Sequence, residues 1–423
     1  MDILIFAPML QLVLYNLFIQ LYRAAAHVVA LFSPKAQKWV SGRKNWKASL
    51  RSTIPGNKPV IWMHCASLGE FEQGRPVFEQ LKTLYPDHFF LLTFFSPSGY
   101  EVRKNYAMAD LVVYLPFGGR KTASDFLDIV KPVMVIWVKY EYWYHYLRQL
   151  RERNIPVYLI SAIFRPSQPF FKFYGGLHRK MLNCFAHLFV QDEQSLQLLK
   201  TVLPEEKITV CGDTRFDRVI QIAEGFSPLP EIEDFINGRR VLVAGSTWQE
   251  DIEVIDHFAN TRKDICFIIA PHETDLETIV SIKALIPAAI AYSIYLKFRE
   301  TSNVLVIDNI GMLSKLYHYA DICYIGGGFG NGIHNTTEAA VYGKPLIFGP
   351  NYKKFREAVD MVKQRAAFPV NSALEFEAAM EELLENGPLL RSASEAAGKY
   401  VMSQKGATRK ILEKIMQQSA VEH

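Results

Sequence analysis

The chain has 423 residues, enough for two or three domains at roughly 150 residues each. Hydrophobic residues make up 49% and charged residues 21%, which excludes a disordered chain, a collagen and a small disulfide scaffold. The 47 basic and 43 acidic residues give a net charge of only +4, too small to indicate a nucleic-acid-binding protein.

The N-terminal segment predicts attachment to a membrane. Residues 3–22 carry no charge, and their number is about what is needed to cross a hydrocarbon core of ~30 Å. A cleaved signal peptide would need basic residues before the apolar run, whereas the only charge there is Asp2. We therefore predict a membrane anchor helix within residues 1–34. A single span, a shallow anchor in one leaflet and an ordinary buried helix remain as alternatives.

The charge that follows this run favours the membrane interpretation. No acidic residue occurs between Asp2 and Glu70. The basic residues of that interval are Arg23, Lys35, Lys38, Arg43, Lys44, Lys47, Arg51 and Lys58. Cations just after an apolar helix favour a cytoplasmic C-terminal side and attract anionic headgroups. We expect the rest of the chain to lie on the cytoplasmic face of a membrane.

Beyond residue 58, short β-rich runs alternate with helical patterns, which is typical of parallel α/β layers. The predicted strands are 59–67, 88–96, 111–117, 133–138, 157–164, 187–192, 240–246, 265–271, 303–308, 321–328 and 345–350. A Pro-rich stretch over 224–240 predicts a linker between a domain at 35–223 and a second at 241–423. A final helix is predicted over 392–417, packing back toward the first domain. Two such domains place a ligand cleft at the carboxyl ends of their strands.

The sequence HCASLGEFEQG, residues 64–74, lies where the first strand passes into a helix. Ser67 and Gly69 suit a tight turn, and Glu70 opens the helix. A carboxylate in the first turn is favourable against the helix dipole, so capping alone explains the pattern. Alternatively, Glu70 points into the cleft and acts as a general base.

The sequence GGGFGNGIHNTTEAAVYGKPLIFGP, residues 326–350, predicts a ligand loop. Glycines let the backbone approach a ligand, and amides at a helix start bind phosphate or carboxylate. Asn335, Thr336 and Thr337 lead into a helix that carries Glu338, whose carboxylate can accept both hydroxyls of a ribose. A capping box explains the threonines and the glutamate, but not seven glycines between residues 326 and 349.

A second strand-to-helix turn, GSTWQED at 245–251, offers Ser246 and Thr247 as caps or as phosphate donors. His64, His272 and His334 are too dispersed to indicate a metal site and are interpreted as hydrogen-bonding or cleft residues. The sequence contains no D-x-D pair, no P-loop and no G-x-S-x-G nucleophile elbow.

These three motifs together resemble the 3-deoxy-D-manno-octulosonic acid (Kdo) transferases of lipopolysaccharide assembly. The resemblance implies an α/β chain of GT-B type, with two Rossmann-like domains facing a cleft. The acceptor would bind the N-terminal domain and the nucleotide sugar the C-terminal domain. It also implies inverting transfer of Kdo from CMP-Kdo to a lipid A precursor at the cytoplasmic face of the inner membrane. No metal, no other cofactor and no nucleic acid would take part.

The resemblance also assigns roles to individual residues. Glu70 matches the proposed catalytic base, and Glu141 matches a second catalytic acidic residue before a tryptophan. Lys139 replaces the first glutamate of the family's E-T-E triplet, and Trp248 replaces a histidine. The implied substrate-binding residues are Ser67, Gly69, Arg215, Ser246, Thr247, His272, Gly327, Gly328, Asn335, Thr336 and Glu338.

Two other functions fit parts of the pattern. Another membrane-associated GT-B glycosyltransferase that uses a UDP-sugar would share the fold and the glycine loop. A non-catalytic nucleotide-sugar-binding membrane protein would share the anchor but would leave Glu70 without a role. The S-x-G-E turn favours the Kdo transferases over both.

Overall fold

A computed structural model describes the backbone of residues 3–421 and the side chains of residues 10–418. The chain divides into two units. Unit 1 extends to Arg218 and includes the chain again from Gly406 onward, and unit 2 is Val219–Lys405. These boundaries correct the predicted domains, 35–223 and 241–423, because the last helix belongs to unit 1.

Unit 1 contains a seven-stranded sheet whose pairings are all parallel. Its strands are β1 (Val60–Cys65), β2 (Phe89–Phe94), β3 (Leu111–Tyr114), β4 (Pro132–Val138), β5 (Val157–Ala162), β6 (His187–Val190) and β7 (Ile208–Val210). Their order across the sheet is β3-β2-β1-β4-β5-β6-β7. Every residue of β1, β2 and β5 is buried, as expected for parallel strands covered on both faces.

Helices follow most of these strands. The helices from the N-terminus onward are α1 (Ile3–Val29), α2 (Pro34–Ser41), α3 (Trp46–Thr53), α4 (Leu68–Leu84), α5 (Pro97–Arg103), α6 (Arg120–Val130), α7 (Tyr144–Glu152), α8 (Gly176–Leu182), α9 (Glu193–Leu199) and α10 (Thr214–Glu224). Short 3-10 turns occupy Pro169–Phe171 and Glu205–Lys207. Helix α10 crosses the boundary between the two units.

Unit 2 repeats the parallel arrangement with seven strands in the order β10-β11-β9-β8-β12-β13-β14. The strands are β8 (Arg240–Thr247), β9 (Ile265–Pro271), β10 (Ile290–Ala291), β11 (Val304–Val306), β12 (Ile322–Ile325), β13 (Leu346–Phe348) and β14 (Ala367–Pro369). Its helices are α11 (Pro230–Ile236), α12 (Gln249–Thr261), α13 (Leu276–Leu285), α14 (Tyr292–Phe298), α15 (Leu313–Leu316), α16 (Thr337–Ala340), α17 (Arg356–Lys363), α18 (Ala373–Glu385) and α19 (Gly387–Ser403). A 3-10 turn lies at Tyr317–Tyr319. Each of the eleven predicted strands overlaps an observed one.

The predicted linker is wrong as a bare connection. Residues 224–240 contain α11, which begins at Pro230 and buries Ile232, Phe235 and Ile236. The Phe235 ring meets Tyr295 edge-on at 5.0 Å, so this helix is part of unit 2. Proline at the first helical position suits a helix start, because its missing N–H would have no partner there.

The predicted final helix, 392–417, is also wrong as a single element. Helix α19 ends at Ser403, and the chain turns at Gly406 (φ +107°) into α20 (Ala407–Val421). Ile411, Leu412 and Ile415 of α20 are buried in a hydrophobic core shared with β1 and α4. The last helix therefore covers the sheet of unit 1.

The N-terminal helix presents two different faces. Gln11, Tyr15 and Asn16 contact unit 1: Gln11 Nε2 donates to Tyr174 O at 2.9 Å, and Tyr15 Oη accepts from a backbone N–H at 3.1 Å. The apolar side chains on the other face are exposed; they include Leu10, Val13, Leu14, Leu17, Phe18 and Leu21. Only 6% of residues 10–29 are buried, so an ordinary buried helix is excluded for the part whose side chains are described. By length and composition this segment can cross a membrane, whereas the side chains of residues 3–9 lie outside the described residues.

The start of α20 generates a stability prediction. Asp217 of α10 accepts hydrogen bonds from the N–H groups of Gly406 and Thr408, each at 2.6 Å. Asp217→Ala removes this cap, and we expect the free energy of unfolding to fall by about 1–2 kcal/mol. Tryptophan fluorescence during denaturation measures it, because five of the six tryptophans precede Arg218. The exposed Glu413→Ala on the same helix should change it by less than about 0.5 kcal/mol, and equal effects would contradict the assignment.

Candidate active site

The order of strands reverses once in each sheet. In unit 1 the chain continues from β1 to β2 on one side, while β4 pairs with the other side of β1. In unit 2 the same reversal separates β9 and β12 on either side of β8. Parallel α/β sheets bind ligands at the carboxyl ends of the strands that flank such a reversal. The predicted site residues should therefore be sought at the ends of β1 and β4, and of β8 and β12.

Glu70 lies at the end of β1, in the first turn of α4. Ser67 precedes the helix with an extended backbone, and its hydroxyl makes no capping bond to the helix backbone. Instead, Ser67 Oγ donates to Glu70 Oε2. The half-buried carboxylate is thus held by a side chain, while the neighbouring Gly69 is exposed. The Ser67 hydroxyl therefore orients the Glu70 carboxylate instead of capping the backbone of α4.

Glu141 follows β4, the strand beside β1, and a buried relay fixes its carboxylate. Its Oε2 lies 3.0 Å from His64 Nε2 and accepts the indole N–H of Trp143, also at 3.0 Å. The other ring nitrogen of His64 lies 2.9 Å from Thr93 Oγ1, which accepts the indole N–H of Trp62 at 2.8 Å. His64 and Thr93 are fully buried. Hydrogen bonds from residues on β1, on β2 and after β4 therefore orient Oε2 of Glu141.

Charged side chains lie around Tyr140, which follows β4. Arg215 is the second residue of α10 and pairs with Asp213, its Nε donating to Asp213 Oδ2 at 2.8 Å. Burial raises the pKa of Tyr140, which also senses the charges of Arg165, Asp213, Glu70 and Arg215. Tyr140 therefore lies among both the candidate base and positive side chains that can bind an anion.

The glycine loop of unit 2 is tied to the turn after β8 by one buried carboxylate. Asp251 Oδ2 accepts the backbone N–H groups of Trp248 and Gly327, each at 2.8 Å, and Oδ1 accepts the hydroxyl of Tyr324 at 2.8 Å. Burial raises the pKa of Asp251, whereas these three donors lower it. The residue clamps the ends of β8 and β12 together. Its role is not apparent from the sequence, where Asp251 looks like an ordinary acidic residue at a helix start.

At two positions of the glycine loop, steric contacts leave no room for a side chain. Gly327 has φ +86°, and a Cβ there would lie 2.5 Å from Gly332 O. Gly328 packs against the backbone of Gly349, where a Cβ would meet the Gly349 nitrogen at 2.5 Å. Side chains at either position would force the loop away from the strand ends, so the glycines keep the backbone accessible to a ligand.

The turn after β8 carries backbone strain. Ser246 has φ +54°, a left-handed conformation that non-glycine residues rarely adopt, and it interrupts the pairing of β8 with β9. Thr247 beside it is buried, and its Oγ1 has no hydrogen-bond partner among the described residues. The same holds for Thr336 Oγ1 at the end of the glycine loop. Strain and unpaired buried hydroxyls are typical of ligand sites.

The segment after the glycine loop is organised by one amide. Asn335 Oδ1 accepts the N–H and the hydroxyl of Thr337, at 3.1 and 2.7 Å. Its Nδ2 donates to Glu338 Oε1 at 2.9 Å. Glu338 is half-buried at the start of α16.

Aromatic rings from three loops form a stack at this edge of unit 2. The ring of His272 lies 4.5 Å from that of Trp248 and 4.7 Å from that of His334. Trp248 Nε1 donates to His334 Nε2 at 3.0 Å, and burial lowers the pKa of His334, with the charge of His272 acting in the same direction. Two histidines that are dispersed in the sequence are thus brought together, and Trp248 joins them.

The predicted residues therefore form two groups. Ser67, Gly69, Glu70 and Glu141 lie at the reversal of the first sheet, and Arg215 lies within the same unit. The second group lies at the reversal of the other sheet and comprises Ser246, Thr247, His272, Gly327, Gly328, Asn335, Thr336 and Glu338. His64, Thr93 and Asp251 support these groups from within the sheets.

Comparison with known proteins supports a family assignment. Residues 43–218 match the family model described as 3-deoxy-D-manno-octulosonic-acid transferase (kdotransferase). A 3-deoxy-D-manno-octulosonic acid transferase of Aquifex aeolicus is 26% identical over 344 residues, 79% of this chain and 88% of that protein. A bifunctional glycosyltransferase/methyltransferase of Fusobacterium nucleatum is 27% identical over 347 residues, 77% of this chain. The matched segment spans only 53% of the Fusobacterium protein.

Solved structures agree on the fold. The UDP-GlcNAc 2-epimerase of Neisseria meningitidis superposes with a TM-score of 0.61 at 16% identity, covering 85% of this chain and all of that one. At this identity the likeness concerns the fold alone. With two parallel Rossmann-like units of GT-B type and the matches above, the chain is similar to the 3-deoxy-D-manno-octulosonic acid (Kdo) transferases, as its motifs predict.

Proposed function

We propose that the protein is an inverting glycosyltransferase that moves Kdo from CMP-Kdo to a lipid A precursor (lipid IVA). The observation that carries the proposal is the pair of strand-order reversals, one with Glu70 at its edge and the other with the glycine loop and Glu338. A base and a nucleotide loop are the two parts that such a transfer needs. Transfer of labelled Kdo from CMP-Kdo to the lipid by the purified chain tests it.

On the acceptor side, Glu70 removes the proton of the attacking sugar hydroxyl. Ser67 donates to one of its oxygens and so directs the carboxylate. A positioned carboxylate within hydrogen-bond reach of the hydroxyl raises its nucleophilicity as the new bond forms. Because the hydroxyl displaces CMP directly, the anomeric centre is inverted.

Glu141 has a second role on the same side. Its Oε2 is engaged by two N–H donors, from His64 and Trp143. We therefore assign Oε1 to a hydroxyl of the acceptor sugar, so that Glu141 orients the acceptor rather than deprotonating it.

On the donor side, CMP leaves with a single phosphate. One phosphate needs less neutralisation than a diphosphate, so the backbone amides of the glycine loop can stabilise it. Glu338 accepts the ribose hydroxyls, and the amides of Gly327 and Gly328 border the phosphate. Ser246, Thr247 and His272 complete this donor site.

We further propose that the protein acts at the cytoplasmic face of the inner membrane. The exposed apolar face of α1 provides hydrophobic attachment. Some of the basic residues that follow α1 contact other parts of unit 1 and are not available to bind the membrane. Arg43 donates to three backbone carbonyls, among them Leu115 O at 2.8 Å, burial lowers its pKa to about 9, and Lys47 pairs with Asp125. Between Lys35 and Arg51, the exposed cations left for the membrane are Lys35, Lys38, Lys44 and Arg51.

Replacement of the proposed base tests the acceptor side. Glu70→Ala should lower the rate of transfer by on the order of 10²–10⁴-fold, the usual contribution of a positioned base, while CMP binding is retained. Glu72→Gln, two residues further along α4, removes a carboxylate that pairs with Arg103 and should keep most of the rate. Steady-state kinetics with both variants decides. A Glu70→Ala variant that keeps more than about a tenth of the rate would remove Glu70 from this role.

Replacement of Glu338 tests the donor side. Glu338→Ala leaves ribose hydroxyls without an acceptor, and we expect CMP binding to weaken by about 1–3 kcal/mol. Isothermal titration with CMP and with UMP measures it. Glu382→Ala, an exposed carboxylate on α18, serves as control and should bind CMP normally. Normal CMP binding by Glu338→Ala would contradict the assignment of Glu338 to the ribose.

Removal of charge tests the membrane proposal. Changing Lys35, Lys38, Lys44 and Arg51 to Gln should reduce binding to anionic vesicles by up to about 1 kcal/mol per residue, less as salt rises. Flotation on anionic and neutral vesicles measures the effect. The control removes four exposed cations of unit 2: Lys283, Lys297, Lys353 and Arg391. If both quadruple variants float equally on anionic vesicles, then Lys35, Lys38, Lys44 and Arg51 do not contact the membrane.

A further inference from the structure

An apolar pocket of about 510 Å³ lies between α1 and α2. This volume falls within the range of about 300–1,000 Å³ that is typical of small-molecule sites. Its aromatic wall is formed by Tyr22, Trp39 and Phe95, whose ring centroids are 5.6–6.1 Å apart. Ser33 and Lys35 line the pocket as polar groups.

Small side chains keep this pocket open. Ala25 and Ala26 of α1 and Ala36 of α2 line it, so no long side chain from either helix fills the space opposite the aromatic wall. Apolar pockets that the protein does not fill lose dispersion contacts and are destabilising. An apolar ligand would restore these contacts.

One buried polar atom at the pocket has no partner. Trp39 is 8% exposed, and its indole Nε1 makes no hydrogen bond within the described part of the chain. Buried N–H groups are nearly always paired, because an unpaired one loses its hydration without compensation. The guanidinium of Arg43 covers the Trp39 ring at 3.9 Å and holds it in place. An oxygen atom of a ligand would satisfy this N–H.

The pocket connects an exposed apolar surface to the loops around Glu70. At one end, Val29 lines the pocket and is exposed, as are the adjacent Leu31 and Phe32. At the other end, Ser96 lines the pocket, and its N–H donates at 2.8 Å to Ala66 O, next to the residue that holds Glu70.

The aromatic wall also reaches the second carboxylate. Phe95 packs against Trp143 with ring centroids 4.9 Å apart. Trp143 in turn donates its indole N–H to Glu141. The wall of the pocket is thus linked to Glu141 through Phe95 and Trp143.

We propose that this pocket holds one acyl chain of the lipid acceptor, an inference that rests on the function proposed above. Trp39 Nε1 donates to an ester or hydroxyl oxygen of that chain, and the Lys35 ammonium pairs with an anionic group of the same lipid. The chain draws the sugar of the acceptor out of the membrane surface toward Glu70. Acyl-chain selection is therefore made in unit 1, beside the anchor helix.

Filling the pocket tests the proposal. Ala26→Trp adds a ring inside it, whereas Ala24→Trp adds the same ring to an exposed position of α1 outside it. We measure equilibrium binding of the tetra-acylated lipid A precursor in detergent micelles without donor, and then KM with CMP-Kdo. Ala26→Trp should weaken lipid binding and raise KM by at least tenfold, and Ala24→Trp should change both by less than twofold. Ala36→Trp, from the opposite wall, repeats the test should Ala26→Trp not fold by circular dichroism.

A deacylated acceptor separates this proposal from the proposed function. The water-soluble deacylated sugar should be used equally by wild type and by both tryptophan variants. Trp39→Phe keeps the ring and removes the N–H, and should raise KM for the acylated lipid by roughly 2- to 12-fold, without effect on the deacylated one. Equal lipid binding by Ala24→Trp and Ala26→Trp overturns the pocket assignment. Lipid binding that depends on the pocket, without Kdo transfer to either acceptor, overturns the proposed function alone.

Discussion

The reversal of strand order in each sheet is the constraint on which the candidate site depends. Where two neighbouring parallel strands continue to opposite sides, their connecting segments diverge, and the carboxyl ends between them stay open. In unit 1 this places the turn before α4 beside the loop after β4. In unit 2 it places the turn after β8 beside the glycine loop. The strand order alone leaves both positions accessible. The conformation of the loops at each position, however, depends on particular side chains.

The shaping is done by buried hydrogen bonds. Asp251 joins the turn after β8 to the glycine loop through two backbone N–H groups, and a relay from Trp62 through Thr93 and His64 orients Glu141. A buried polar group that loses its partner is destabilising, so such networks allow only one arrangement of the loops they connect. The unpaired indole N–H of Trp39 is an exception, because buried polar groups usually have a hydrogen-bond partner.

Much of this arrangement could be predicted from sequence, for physical reasons. Continuous apolar runs predict strands that are covered on both faces, and eleven such runs overlap observed strands. Strands β7, β10 and β14 were missed because they have only two or three residues. The break at Gly406 lay inside an otherwise helical pattern, and α11 lay in a Pro-rich stretch whose proline starts a helix.

The positions of the candidate residues were predictable where the local sequence has a distinct pattern. Glu70 and the glycine loop lie at strand-to-helix turns that can be recognised from the local sequence. His64, Thr93 and Asp251 act through partners distant in sequence, and single residues inside apolar strands or at helix starts carry no sign of that. The same holds for Arg43 and Lys47, which charge alone assigns to the membrane but which contact unit 1.

The most direct test of the proposed reaction is a competition between donors. The purified full-length chain receives an acylated lipid A precursor with equal concentrations of CMP-Kdo and a UDP-sugar, and mass spectrometry identifies the sugar added to the lipid. We predict that Kdo alone is added, and that the anomeric configuration of the product, read by NMR, is inverted relative to the donor. Addition of the UDP-linked sugar, or Kdo transfer with retained configuration, would contradict it.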